Sequence, residues 1–201
     1  MVWERRPSAL TDAGTAGALL SPAEIARMRT FIQTPDQLRF LTAWSLARQV
    51  LGELSGQDPR ALVFDRTCTH CGHPTHGKPR LVGGPWQFSL SHTADRVLLA
   101  VAEDCPVGVD IESADAKVTD VSRLILHPDE PPVTGVKLLR IWVRKEAVLK
   151  ATGHGLARPM TGFSVLTPPE GMLLRDLPRD DGYVAAVAAI GDPDTTVELR
   201  P

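Results

Sequence analysis

The sequence predicts a mixed α+β protein, with antiparallel strands beside two main helices. Three stretches carry that prediction. An apolar stripe recurs at helical spacing over residues 35–53, a hairpin pattern fills WQFSLSHTADRVLLAVAED, and PVGVDIES alternates like a strand. Such a mixture buries apolar faces by packing helices onto sheets.

The elements follow in chain order. LSPAEIARMRTF begins a helix, with Ser21 as N-cap, Pro22 at the first helical position and Glu24 completing a capping box. TPDQLRFLTAWSLARQVLGEL repeats that grammar, with Thr34 as the expected cap, then Pro35 and Asp36. Leu38, Leu41, Trp44, Leu46 and Val50 form its broad apolar stripe. Gln57 to Pro85 reads as loop with one short strand at ALVFD. In the hairpin, Phe88 and Leu90 alternate with Ser89 and Ser91, TADR turns the chain, and VLLAVA returns as a buried strand. In PVGVDIES, Val107, Val109 and Ile111 point one way while Gly108, Asp110 and Glu112 point the other. HPDEPPVTG is a loop, and KLLRIWVRKEAVLKAT is a helix closed by Gly153 or Gly155. GFSVLT, GMLLRDL, GYVAAVAAI and TTVELR read as closing strands. A division of the chain is expected near Cys105–Pro106.

Bulk properties narrow the function classes. A chain of 201 residues can bury a core without disulfides or metals, and holds one large domain or two small ones. A net charge of −2 offers no basic field for nucleic acid or an anionic membrane. No apolar run reaches the roughly 18 residues of a membrane span, and MVWERRPSAL lacks the apolar core of a secretory signal. Three cysteines cannot all pair within one chain, which points to a reducing cytoplasm.

Several side-chain groups could carry chemistry. Asp110 and Glu112 share one strand face about 7 Å apart, a repulsive pair that a hard divalent cation would relieve. Taken alone, the same pair reads more simply as a solvent-facing acidic edge. Glu146 and Lys150 stand one helical turn apart, oriented for an ion pair, on the side of the helix that also carries Trp142, Leu149 and Gly153. His92, beside Ser91 where a strand turns, could donate to a phosphate oxygen or be an ordinary surface histidine. In HGKPR, Lys78 and Arg80 are cations on a turn, which is not a phosphate loop of the Walker type. In CTHCGHPTHGKP, Cys68, Cys71, His73 and His76 could hold a structural zinc ion, although four ligands within nine residues are tighter than common zinc spacings. A metal-free loop is the favoured reading there.

Taken in order, GKP, FSLSH, GVDIE and WVRKEAVLKATGHGL resemble the Sfp-type 4′-phosphopantetheinyl transferases from Gly77 to Leu156. The resemblance implies two similar α+β halves, residues 1–105 and 106–201, related by a pseudo-twofold with the active site between them. It implies a holo-acyl-carrier-protein synthase, which moves the phosphopantetheine arm of coenzyme A onto a carrier serine and releases 3′,5′-ADP. Asp110, Glu112 and Glu146 match the family's ligands for Mg²⁺, with Mn²⁺ equally acceptable to oxygen ligands. Glu146 also matches the proposed base, and Lys150 the lysine at the phosphate or leaving group. Ser91 and His92 match the pair at the coenzyme phosphates, Lys78 and Pro79 the turn beside the adenosine, and Arg27 and Arg39 cations for the 3′-phosphate. The implied partners are carrier domains of polyketide, nonribosomal peptide or fatty acid synthesis, served by a monomer. HPDEPPVTGV, residues 127–136, departs from the pattern, being shorter and richer in proline than the helical stretch many members have there. The alternative is a catalytically impaired coenzyme A binder or a zinc-stabilised interaction module.

Overall fold

A computed structural model describes residues 1–7, 13–116, 121–168, 170–192 and 196–200. Strand β1 (Val2–Arg5) precedes three helices, α1 (Ala13–Gly17), α2 (Pro22–Met28) and α3 (Thr34–Ser55). Two short strands, β2 (Phe64–Asp65) and β3 (Arg80–Leu81), lead to the hairpin β4 (Trp86–Thr93) and β5 (Arg96–Glu103). Then come β6 (Val107–Ser113), α4 (Ser122–Ile125), α5 (Gly135–Thr152), β7 (Met172–Asp176), β8 (Tyr183–Ile190) and β9 (Leu199–Arg200).

A four-stranded sheet runs β4-β5-β1-β9 and a three-stranded sheet runs β6-β8-β7. Each contains a β-α-β-β unit in which the first strand pairs with the third and the third with the second: β1, α3, β4, β5 and again β6, α5, β7, β8. Strand alternation then stacks the layers. Val97, Leu99 and Val101 of β5 pack on Leu46, Ala47 and Val50 of α3, while Leu98 and Ala100 meet Val107, Val109 and Ile111 of β6. On β8, Ala185 and Val187 face that shared core, whereas Ala186 and Ala188 pack under α5. The layer order is therefore α3, sheet, sheet, α5.

The Ser21 capping box is formed, Glu24 accepting from the Ser21 N–H at 2.7 Å and Ser21 from the Glu24 N–H at 3.3 Å. The same Glu24 carboxylate holds the buried Arg48 at 2.8 and 3.0 Å, which fixes α2 and its Arg27 against α3. Thr34 is not a cap. It is already helical, and Gln33 takes the extended cap conformation with no side-chain bond. α5 is closed by Gly153 at φ 74°, a left-handed residue as a helix end favours.

Other expectations need correction. ALVFD pairs only at Phe64–Asp65, and its partner β3 falls in a stretch read as loop. GFSVLT forms no strand among the described residues. Side chains do the work of a ladder there: buried Lys145 donates to the Phe163 carbonyl at 2.8 Å, and Glu130 accepts from the Val165 N–H at 2.8 Å. Of TTVELR only Leu199–Arg200 is strand, parallel to β1, and Thr195 lies outside the described residues. Among the described residues no helix is long and apolar enough to cross a membrane.

Candidate active site

The two sheets meet along the edge strands β4 and β6. An edge strand presents unpaired N–H groups. Here the serines of FSLSH satisfy them: Ser89 Oγ accepts from Val109 N at 3.2 Å and Ser91 Oγ from Ile111 N at 3.3 Å. Ser91 also donates to Asp110 Oδ1 at 2.8 Å, and Thr93 to Glu112 Oε2 at 2.9 Å. The acidic pair is thus held from β4. From the other side α5 approaches β6 backbone to backbone. A Cβ at Gly108 would lie 2.0 Å from the Ala147 carbonyl oxygen and 2.4 Å from Ala151 N, so only glycine permits this contact.

These elements surround a cavity of about 790 Å³. Arg27, Lys78, Pro79, Ser91, His92, Asp110, Glu112, Glu146 and Lys150 all line it, as do Trp142, Leu149 and Gly153 from the helix face singled out by spacing. Arg39 is not part of the lining. Its guanidinium pairs with Asp36 and donates to the Ala94 carbonyl at 2.9 Å, bracing the β4–β5 turn. An adjoining cavity of about 920 Å³ shares Arg27, Trp44, Arg66 and His76 with the first.

The expected Glu146–Lys150 rung is replaced by another pair. Lys150 Nζ lies 2.6 Å from Asp110 Oδ1. Asp110 is 5% exposed, and its second oxygen is buried with no hydrogen-bond partner. Burial pushes Glu112 up, with Asp110 adding to the effect and Thr93 opposing it. Burial likewise raises Glu146, reinforced by Asp110 and Glu112 and countered by Lys150. Two carboxylates of raised proton affinity beside a third with an orphaned oxygen form a donor set suited to a hard dication. His92 is pushed below its ordinary value by desolvation at the cavity wall and by the charges of Arg39 and Lys150, which favours the neutral imidazole.

Lys78 reaches across rather than into the cavity. Its ammonium donates to the Val107 carbonyl at 2.8 Å and the Ala151 carbonyl at 3.3 Å, and burial lowers its pKa to about 8. It ties the GKP turn to the start of β6 and the last turn of α5. Lys145, the lysine of the KE pair, is fully buried in a different place, 2.7 Å from Glu130. Arg66 was missed by sequence reasoning because it sits in no motif. It lines the cavity, burial and the nearby Arg27 charge lower its pKa, and its Nε is buried without a partner. Of the four cysteine and histidine candidates, Cys68, Cys71 and His76 bring their ligand atoms within 4.8 Å of one another, a closeness the three carboxylates do not share. His73 instead stacks its ring on His76 at 4.8 Å.

Comparison with known proteins points the same way as this geometry. The family model of the 4′-phosphopantetheinyl transferase superfamily matches residues 106–188, which contain β6 and α5. A 4′-phosphopantetheinyl transferase of Bacillus subtilis is 26% identical over 98% of this chain and 88% of its own length. The 4′-phosphopantetheinyl transferase HetI of Nostoc is 31% identical over 87% of this chain and 80% of its own. Sfp of Bacillus subtilis is 24% identical over 94% and 90%. With a relative of that identity spanning most of both chains, and a family match over the β6–α5 unit itself, the chain belongs to the 4′-phosphopantetheinyl transferase superfamily.

Proposed function

We propose that the protein transfers the 4′-phosphopantetheine arm of coenzyme A to a serine of an acyl or peptidyl carrier protein, releasing 3′,5′-ADP. One observation carries the reading: a single cavity takes Ser91 and His92 from β4, Asp110 and Glu112 from β6, and Glu146 and Lys150 from α5. The names of the relatives support it.

Asp110, Glu112 and Glu146 would hold Mg²⁺, or Mn²⁺, and the orphaned Asp110 oxygen supports that assignment. Such an ion would neutralise charge on the coenzyme's diphosphate. The side chains supply the rest. Arg27 and Arg66 offer fixed positive charge for the 3′-phosphate, and Arg66 brings an unsatisfied donor. Lys78 and Pro79 shape the adenosine side, Lys78 through its stem because its ammonium is engaged elsewhere. The serine oxygen bonds to the β-phosphorus as the bond from that phosphorus to the ADP oxygen breaks. Glu146, which lines the cavity, takes the serine proton. Lys150 and His92 stabilise the charge that gathers on the departing 3′,5′-ADP.

The repeated β-α-β-β order supports two halves, 1–105 and 106–201, with β9 returning to the first sheet. Both walls of the cavity come from one chain, which suits a monomer. The free Cys68, Cys71 and Cys105 suit a reducing cytoplasm. Polyketide, nonribosomal peptide and fatty acid synthases are the carriers' proposed setting. The test is intact-mass measurement of several apo carrier proteins after incubation with the protein, coenzyme A and Mg²⁺. One phosphopantetheine added to a carrier serine is the expected result. No transfer to any carrier, with coenzyme A bound tightly, would overturn the reading.

A further inference from the structure

The loop between β2 and β3 contains a cluster that the transfer reaction does not use. Residues 67–76 read TCTHCGHPTH, and Pro74 is their only apolar side chain. Residues 69–76 are all exposed, so the loop has no apolar anchor of its own. Its backbone is nevertheless tightly closed. Cys68 N donates to the His73 carbonyl at 2.8 Å, Gly72 N to the Cys68 carbonyl at 2.9 Å, and Gly77 N to the Arg66 carbonyl at 2.8 Å. Gly72 adopts φ 74°, which glycine takes at little cost. The backbone N–H groups of Cys71 and His70 hold the Cys68 thiol below its ordinary pKa.

The side chains converge on one point. Cys71 Sγ and His76 Nε2 are 3.1 Å apart, and with Cys68 Sγ all three ligand atoms lie within 4.8 Å. A tetrahedral zinc ion, with Zn–S near 2.3 Å and Zn–N near 2.0–2.1 Å, needs its ligands roughly 3.5–3.8 Å from each other. His73 stands beside them. Its Nδ1 lies 3.4 Å from Thr75 Oγ1, which can accept the Nδ1 proton in the tautomer that leaves Nε2 for a fourth bond.

We propose that Cys68, Cys71 and His76 form a structural Zn²⁺ site, with His73 as the protein group available for the fourth position. Two thiolates and imidazole are soft to borderline donors, which select zinc over magnesium. The ion supplies the cross-link that apolar burial does not supply in this loop. Its consequence reaches the cavity because the loop begins at Arg66 and ends at Lys78, and its closing residue has no slack: a Cβ at Gly77 would lie 2.6 Å from the Thr67 carbonyl oxygen. The metal site itself is independent of the transferase reading; only its effect on coenzyme A rests on that reading.

The experiment uses the full chain, purified with reductant and without chelator. Zinc is counted per chain by elemental analysis, and the metal-free protein is titrated with Co²⁺ and followed by visible absorption. One zinc per chain is expected, with thiolate-to-cobalt charge transfer and the intense bands of a tetrahedral site. Cys71→Ser and His76→Gln should lose the ion, His73→Ala should bind it more weakly, and Asp110→Asn should keep it. Substoichiometric zinc in the native chain, or full retention in Cys71→Ser, overturns the proposal. Since the losing variants could fold poorly, circular dichroism accompanies the count. Native protein stripped of zinc, then freed of chelator and resupplied with Mg²⁺, gives a second readout: KM for coenzyme A should rise several-fold with a smaller fall in kcat. A zinc-free protein with unchanged thermal stability and KM would remove the structural role.

Discussion

Lys150 Nζ lies 2.6 Å from Asp110 Oδ1 and 3.2 Å from the Val109 carbonyl oxygen, so the last turns of α5 are tied to the middle of β6. The helix spacing also allowed Lys150 to pair with Glu146. Asp110 wins because its carboxylate is almost wholly buried and gains more from a cation than a better-solvated partner would. A double-mutant cycle of Asp110→Asn with Lys150→Met should therefore give a coupling of about 1–2 kcal/mol in chemical denaturation, within the range for residues in contact. A cycle of Glu146→Gln with Lys150→Met should give a clearly smaller value. Equal couplings would show that the ammonium is shared.

Lys145 and Glu130 form the other internal pair, both side chains at 0% exposure. The ammonium also donates to the Ile125, Met160 and Phe163 carbonyls at 2.7, 2.7 and 2.8 Å, and Glu130 receives the His127 and Val165 N–H groups. The proline-rich loop is thereby fixed to α5. Lys145→Met leaves a buried carboxylate uncompensated and should cost about 3–5 kcal/mol. Melting should fall by roughly 6–20 °C. A change under about 1 kcal/mol would mean the pair is far better solvated than its burial implies.

Gly108 sets the distance between the acidic strand and the helix. Gly108→Ala drives a methyl group into backbone atoms at 2.0 and 2.4 Å, where no side chain can move aside. The expected cost is at least about 3 kcal/mol, with β6 displaced from α5. Transfer activity should fall even in the fraction that remains folded, since Asp110 and Glu112 would shift from Glu146 and Lys150. Full activity and stability in this variant would contradict the close approach.

The carboxylates make a pH prediction with a defined sign. Glu112 and Glu146 hold protons more tightly in the folded chain than at the ordinary glutamate value of 4.5. In the metal-free protein their contribution to stability is fully present below that value. It is lost as pH rises through the raised folded values. The melting temperature of the native protein relative to Glu112→Gln/Glu146→Gln should thus drop between acid and neutral pH in chelator. Added Mg²⁺ should recover the neutral-pH loss. Parallel curves for the two proteins would remove the proposed crowding.

Much of this architecture is written in local pattern. The capping box at Ser21 and Glu24, the stripe of α3 and the alternation of Val107, Val109 and Ile111 depend on residues a few positions apart, and each is formed. What escaped were relations between distant segments. No local pattern marks Glu130 and Lys145 as buried partners, because nothing in either stretch announces the other. Their bonds to Phe163 and Val165 in turn replaced a strand that GFSVLT otherwise predicts. Arg66 lies in a loop without a motif, and Lys78, which read as a cation on the turn beside the adenosine, has its ammonium on two carbonyls from distant segments. The family resemblance named the acidic and basic residues of the cavity, while their pairing came from the packing of β4, β6 and α5.

The most direct test of the central claim is phosphopantetheine transfer to an apo carrier by the native protein and by Asp110→Asn, each with Mg²⁺ and with chelator. The native protein should modify the carrier only with the metal. Asp110→Asn, folded by circular dichroism, should be slower by a factor on the order of 10² or more. Undiminished, metal-dependent turnover by Asp110→Asn would contradict the assignment of the β6 carboxylates to the reaction.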